Sequence, residues 1–507
     1  MEIKDIERIQ SIIKNDINNN IKIGNIDEAI LLIDTYADMT QRINNILRDD
    51  EIENQIKILS EIGFGKKLKL QELNKGVVVF YDQIGTTACL GLQYLRGLKN
   101  NGYKIVYIFE NCRCTNISPA LLKEVEGICE EYHLINEECE NQKEIQKGAK
   151  IRKIIEKVKP EIIMVHPSAL GALGMSVMYS IEGPRKYRIV PGDHHFYIGY
   201  DCFDYFIEFR PFGWGYAYWG RRIPTNKIYS LNYYPIVNEH INFEGFPFDA
   251  MNKTLLCASG NPYKFNGSDV FYDIIETILR KYEEVVFVYI GEPSKRIKEF
   301  EASYPKKVFL LGYRKDFSEL IKRMDIVINS LPISGGLVCQ YAAYYRKPIL
   351  ALYIEEKGIG ANIDDILGNP MDGEKITLSS EEALLSEADK LIKEKDYRLL
   401  RGSLANKMLQ TQKNFDIQLN EILTCKSKTV SDDLLRPIDR NPRVKMYVGL
   451  WNSYQPEYMM PLIMQYRLST FVKFSFLYLD VINNLRYILK VLASTYPLFN
   501  HFKKKKQ

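Results

Sequence analysis

A chain of 507 residues exceeds what one hydrophobic core accommodates, so two large domains with appended segments are expected. Its 68 basic and 64 acidic residues leave a formal charge of +4, which excludes a generally basic nucleic-acid binder and confines any basic surface to local patches. The nine cysteines have no paired spacing, and Cys112 with Cys114 lacks the second pair or nearby histidines of a zinc site, so the chain reads as reduced, cytoplasmic and metal-free.

The N-terminus, MEIKDIERIQ, is charged and amphipathic, unlike a secretory signal, and no run of 18 uncharged apolar residues is present to span a bilayer. Residues 1–72 repeat Ile and Leu three and four apart, in IDEAILLIDTYADMTQRINNIL and EIENQIKILSEIG, the pattern of amphipathic helices. Gly24 to Ala29 resembles the start of a tetratricopeptide helix pair. One such unit does not make a repeat array, so these residues read as a helical appendage.

The period changes at Lys75. Residues 77–81 read as a buried strand, 88–99 as a helix and 105–109 as the next strand, which opens a parallel sheet in a domain over 73–240. Gly85, Thr86 and Thr87 fall in the loop behind the first strand. G-x-G-x-x-G is absent there, yet the carboxyl ends of strands are where open α/β sheets place ligands. Helices are expected over 118–132 and 143–158, then a strand ending on His166. That histidine is either a ligand contact or a satisfied core residue. Asp193, His194 and His195 end a later strand. A carboxylate beside an imidazole orients it and raises its basicity, which suits a general base near neutral pH. A polar turn capped by Asp193 is the competing reading, and metal binding lacks a third ligand at suitable spacing. The aromatic run Phe212, Trp214, Tyr216, Tyr218 and Trp219 reads as packing or as an acceptor platform.

Residues 236–252 lack a period and contain Gly and Pro, which places a linker there. A second doubly wound domain over 253–425 follows, with strands near 255–259, 285–290, 308–311, 326–329 and 349–353. Ser259, Gly260 and Lys264 lie behind its first strand. Asp325 to Leu352 compress strand, glycine loop, helix and strand into one unit, with Ser334, Gly335 and Gly336 opening the helix. Free N–H groups and the helix dipole there favour an anion such as a diphosphate, and topology brings Lys264 to the same crevice. A tight turn without ligand remains open from these residues alone. From 437 to 507 the chain is rich in Tyr, Leu, Met and Phe and ends in Lys503 to Lys506. Arg467, Lys473, Asp480, Arg486 and Lys490 interrupt it too often for a spanning helix, leaving either helices packed on the domains or a membrane-surface segment.

Two facing doubly wound α/β domains, with lysine and glycine-loop sites on the second, resemble the GT-B architecture of nucleotide-sugar glycosyltransferases. LLCASGNPYKFNGSDVFYDIIETIL and Asp325 to Leu350 resemble donor-binding segments of the O-GlcNAc transferase and bacterial protein-glycosyltransferase group. Asp193-His194-x-Phe196-Tyr197-x-Gly199, followed by Asp204 and Ile207 to Arg210, is similar to a segment of bacterial surface-polysaccharide and protein glycosyltransferases. The resemblance spans residues 75–425. It implies a nucleotide-sugar co-substrate, UDP-linked, with no further cofactor. Lys264, Ser334, Gly335 and Gly336 would meet its diphosphate beside Ser259 and Gly260. Tyr313 and Arg314 would border its base, and Gly85, Thr86, Thr87 and His166 would lie on the acceptor side.

Retaining enzymes of this architecture often carry two glutamates eight positions apart, the second opening E-A-x-x-x-G-x-P, and here Gln340 begins that stretch. Inversion is therefore favoured, with His194 as base, Asp193 orienting it and His195 in reserve. No D-x-D triplet occurs, so Lys264 and the helix dipole must carry the leaving-group charge. The expected function is sugar transfer to a glycan, lipid-linked or protein hydroxyl, in the cytoplasm or at the inner membrane face. A nucleotide-sugar 2-epimerase and a non-catalytic partner of a glycosyltransferase are the rival readings.

Overall fold

The computed structural model describes residues 3–87, 90–111, 116–168, 170–237 and 241–453. Cys112, Cys114 and the tail beyond Ser453, with Arg467 to Lys506, lie outside the described residues. The fold contains two α/β domains, each built on a parallel sheet. The first sheet holds β1 (Asn74–Asp82), β2 (Lys104–Phe109), β3 (Glu131–Leu134), β4 (Pro160–His166), β5 (Arg185–Ile189), β6 (Tyr205–Glu208) and β7 (Ile228–Ser230). Its order is β3-β2-β1-β4-β5-β6-β7, parallel throughout.

Strand β1 shows why the sheet is buried on both sides. Its alternate residues serve opposite cores: Val78 and Phe80 pack with Leu92 and Leu95 of the helix Gly91–Asn100, whereas Val79 and Tyr81 pack with the N-terminal helices. Those helices, Ile3–Lys22, Ile26–Ile43 and Asp50–Phe64, contribute Ile9, Ile33 and Ile56 to the same continuous core as Val165 and Phe196. The N-terminal segment is thus one covering layer of the first sheet. Asp34 joins the two, because its carboxylate accepts the Gly171 and Ala172 N–H groups, both at 2.8 Å, and so caps the helix Ala172–Tyr179 from outside.

One element departs from its sequence pattern. The helix expected over 118–132 ends at Ile128, and Glu131–Leu134 pairs with β2 as an edge strand. Ladder hydrogen bonds to Val106 and Tyr107 outweigh a local helical period in residues that are mostly polar.

The second sheet holds β8 (Thr254–Ser259), β9 (Val285–Ile290), β10 (Val308–Leu310), β11 (Ile326–Ile328) and β12 (Ile349–Ile354), ordered β10-β9-β8-β11-β12. Beyond β12 lie Ile359–Gly360, antiparallel, and Thr377–Leu378, parallel. In both sheets the strand order reverses at the first strand, between β1 and β4 and between β8 and β11. The loops behind those strands diverge and leave a crevice. The chain then returns to the first domain: Phe415 and Leu419 of the helix Gln412–Leu423 pack on Gly91–Asn100, where Gly97 leaves room for Leu419. Among the described residues no helix is long and apolar enough to cross a membrane.

Burial pushes the Asp34 carboxyl up from 3.8 to about 7. A raised folded-state value means that its stabilising contribution is full below pH 3.8 and is lost as pH rises through about 7. Asp34→Asn keeps one acceptor oxygen and cannot ionise. Thermal unfolding followed across that window is expected to show wild type losing several degrees relative to the variant as pH rises.

Candidate active site between the domains

In the second domain the loops behind β8 and β11 close on each other. Lys264 ends the short turn Pro262–Lys264, and its carbonyl accepts the Ile333 N–H at 3.3 Å. Asn329, just past β11, accepts the Ser330 and Gly335 N–H groups through Oδ1 at 2.9 and 2.8 Å, folding the glycine loop back over the strand end. The helix Gly336–Tyr344 then starts without a side-chain cap. Ser334 Oγ and Asn329 Nδ2 are buried with no hydrogen-bond partner. Among the described residues no carboxylate acts on the half-buried Lys264, and burial lowers its pKa. An unpaired ammonium, an uncapped helix start and spare polar groups together make a site for an anion.

The first domain supplies the complementary half. Asp193 is fully buried and is gripped by Arg210, whose Nε and Nη2 both donate to it, the latter at 3.0 Å. Its remaining hydrogen bond comes from His194 Nδ1 at 2.9 Å. This partner fixes the imidazole tautomer, leaving Nε2 as an acceptor. The Arg210 guanidinium holds the Asp193 carboxyl far below the usual range, against the opposing effect of burial. Burial lowers the pKa of His194, and the Asp193 charge opposes it. His195 is lowered further by burial, by His194 and by the positive charges of Arg221 and Lys264. The charge of the second domain's lysine is thus felt at the first domain's His195.

Arg221 carries the loop from beneath. It is fully buried and donates through Nη2 to the carbonyls of Asp193 and His195 at 2.7 and 2.6 Å. Its Nη1 lies 3.8 Å from Glu208, whose two oxygens have no hydrogen-bond partner and whose carboxyl is pushed up to about 8 by burial. Asn44, in the left-handed conformation that ends the helix Ile26–Ile43, donates to the His194 carbonyl and accepts the Phe196 N–H at 3.0 Å. Arg210, Arg221, Glu208 and Asn44 had no motif to announce them. Glu208 and Arg210 stood out only as part of a polar strand end, Asp204 to Arg210, and of a segment that the resemblance covers.

A cleft of about 1200 Å³ runs between the domains, walled by Thr87 and Pro191 on one side and by Ser259, Gly260, Tyr313 and Arg314 on the other. Tyr313 is 85% exposed, whereas Arg314 is committed to Asp316, at 2.6 and 2.7 Å, and to Glu244. Gly85 and Thr86 precede Thr87 in the loop behind β1. Gly85 has φ +68°, and a Cβ there would meet the Phe109 ring at 2.4 Å. His166 lies beneath that loop, fully buried, with Nδ1 2.9 Å from Asp82. Asp82 also accepts the Ile84 and Gly85 N–H groups, so the pair shapes the loop from inside. Among the described residues no group of three or more His, Cys, Asp or Glu side chains is placed to hold a metal ion.

Arg210→Met strands the buried Asp193 charge, at an expected cost of about 3–5 kcal/mol near neutral pH. Because the Asp193 pKa is depressed, the wild-type advantage is full above 3.8 and is lost as pH falls below it. Urea unfolding of both proteins at several pH values reads this out.

No family model and no curated protein matches the sequence. Solved structures do match. A mutant of the Thermobaculum terrenum O-GlcNAc transferase superposes with a TM-score of 0.50 over 88% of this chain and 85% of its own, at 11% identity. A glycosyltransferase from Rickettsia africae (TM-score 0.47, 14% identity, 77% of this chain and 99% of its own) is also similar. So is the lipopolysaccharide outer core galactosyltransferase WaaB (TM-score 0.48, 12% identity, 69% of this chain and 100% of its own). The chain has the GT-B fold, two facing Rossmann-like domains with a cleft between them.

Proposed function

We propose that the protein is a glycosyltransferase that moves a sugar from a UDP-sugar to a hydroxyl acceptor with inversion. The observation that carries this reading is the uncapped glycine-loop helix start beside Lys264, which faces the first domain so closely that a Cβ on Gly336 would stand 2.9 Å from Tyr233 Oη. An anion-binding half and a basic half face each other, as displacement at a sugar between diphosphate and hydroxyl requires.

In this reading the donor diphosphate lies against Lys264, Ser334 and the N–H groups that begin the helix at Gly336, with Ser259 and Gly260 alongside and the base near Tyr313 and the Arg314 backbone. His194 Nε2 takes the acceptor proton while the acceptor oxygen bonds to the anomeric carbon. The bond from that carbon to the diphosphate breaks in the same step, and its electron pair leaves on UDP. Lys264 and the helix dipole stabilise the departing charge. Asp193 keeps the tautomer and favours the imidazolium as it forms. The acceptor is a glycan, lipid-linked or protein hydroxyl of the kind modified in bacterial surface-polysaccharide or protein glycosylation. The Lys503 to Lys506 tail suits work at the cytoplasmic membrane face.

UDP at a hundredfold excess over its dissociation constant is expected to stabilise the protein by about 2.7 kcal/mol, and Lys264→Ala to abolish the shift. No shift with UDP or UDP-sugars overturns the donor site. His194→Ala is expected to keep the UDP shift and to lose roughly 10²–10⁴-fold in turnover. Because burial lowers the His194 pKa below 6.5, turnover should hold across neutral pH and fall only on the acid side of that value.

A further inference from the structure

The helix Asn441–Ser453 packs beside the histidine loop, and no step of the proposed reaction uses it. Asp439, exposed, accepts the Asn441 N–H at 2.9 Å, and Arg440 donates to the carbonyl of Asn44, the residue that holds the histidine loop. Tyr447 is buried, with its ring parallel to His194 at a centroid separation of 6.3 Å and edge-on to His195 at 6.5 Å. Leu450, also buried, lies 3.4 Å from where a Cβ on Gly267 would stand, three residues beyond Lys264. These contacts fix the helix, and they fix Arg443 with it.

Arg443 is half-buried and touches both domains. Its guanidinium lies 4.8 Å from the centre of the Phe212 ring, which Arg210 approaches at 4.9 Å, and Arg210 in turn grips Asp193. In the second domain Arg443 Nη2 donates to the Gly360 carbonyl at 3.0 Å, and the side chain also donates to the Tyr353 hydroxyl. The Gly360 N–H donates to the Pro332 carbonyl at 2.8 Å, inside the loop that runs from Asn329 into Gly335 and Gly336. A continuous chain of contacts thus leads from Asp193 through Arg443 to the glycine loop. Among the described residues the partners of Arg443 are a carbonyl, a phenol and an aromatic ring, none of them a carboxylate. A guanidinium does not lose its charge at any working pH, so the charge must act on whatever titrates nearby.

We propose that Arg443 is a positioning residue of the reaction: pinned between the domains, it sets an unanswered positive charge beside His194 and ties the glycine loop to the loop that bears Asp193. The groups facing His194 are Asp193, His195, Arg210, Arg443 and Tyr447. Burial opposes protonation of its ring, Asp193 favours it, and Arg443 and Arg210 oppose it. Removing Arg443 therefore tips the ring toward imidazolium, which has no free acceptor for a substrate proton. The inference rests on His194 being the base.

The test compares the full-length protein with Arg443→Gln and Arg443→Lys. Hydrogen–deuterium exchange at the histidine ring carbons, read by mass spectrometry across pH, gives a titration midpoint for each histidine, and the fully buried His166 reports unfolding. UDP release from UDP-sugar is followed over the same range. Arg443→Gln is expected to raise the His194 midpoint by about one pH unit and to move the acid limb of turnover with it. Arg443→Lys keeps the charge but not the fork that spans both domains, so it is expected to hold the midpoint while turnover falls about tenfold at every pH. Arg443→Met supplies the neutral comparison if Arg443→Gln exposes His166. Equal His194 midpoints in wild type and the neutral variant overturn the charge effect, as does an equal shift in Arg443→Lys. Wild-type turnover in Arg443→Lys overturns the tie between the loops. A midpoint that moves while the acid limb stays overturns His194 as base and with it the role of Arg443 in the reaction. Absence of UDP-induced stabilisation in wild type overturns the donor reading separately, since the exchange midpoints do not depend on it.

Discussion

A carboxylate removed from water must be answered by charge and hydrogen bonds or it will not stay ionised, and the centre of this molecule is arranged around one such group. Asp193 is answered by Arg210 and by His194, and the two demands fix different things. Arg210 ties the loop behind β5 to the segment behind β6, because it stands two residues beyond the end of that strand. His194 in turn receives its tautomer from the same carboxylate. Beneath them Arg221 binds the loop's carbonyls, with the Tyr197 ring 4.4 Å from its guanidinium and 4.0 Å from that of Arg188. Arg188, Arg210 and Arg221 are thus packed with Glu208 around the loop that carries Asp193, and of these it is Arg210 whose removal would leave the Asp193 charge unanswered.

The two domains carry opposite electrostatic deficits. In the first, Asp193 is matched by Arg210, and burial pushes the histidines beside it toward neutrality, where they are fit to accept a proton. In the second, Lys264 is unmatched, and the helix start beside it has no cap. A ligand that bears negative charge on one end and a reacting carbon on the other would satisfy both sides at once. The cleft between the domains is lined by Pro191, Ser259 and Gly260, neighbours in sequence of the histidine loop and of Lys264, while those groups themselves stand outside its lining.

The helical segments at the two ends of the described chain bear on the same loop. Asn44, where the second N-terminal helix stops, is bonded to the histidine loop, and Arg440 reaches the carbonyl of Asn44 from the other end of the sequence. Residues from both ends of the described chain thus meet at one short stretch between two sheets.

The strands of both sheets were legible because a strand buried on two faces needs an unbroken apolar run, and Val77 to Tyr81 and Val285 to Ile290 are such runs. The glycine loop was legible for a local reason too, since a helix that must leave its first N–H groups open needs small residues there. Asp193 and His194 could be paired on paper because they are neighbours. Edge strand β3 could not, because its stability comes from a partner some 25 residues earlier rather than from its own pattern. Arg210, Arg221 and Tyr447 belong to the same class: an arginine buried against a carboxylate has the same letter as one on the surface, and an aromatic beside the histidines looks like any other core aromatic. The sequence by itself determined the two layered sheets and the glycine loop that opens a helix, whose causes are local. The tertiary structure alone decided which charges are matched, that Lys264 has no carboxylate beside it among the described residues, and what packs against the histidines, because those depend on residues that meet only when the chain has folded.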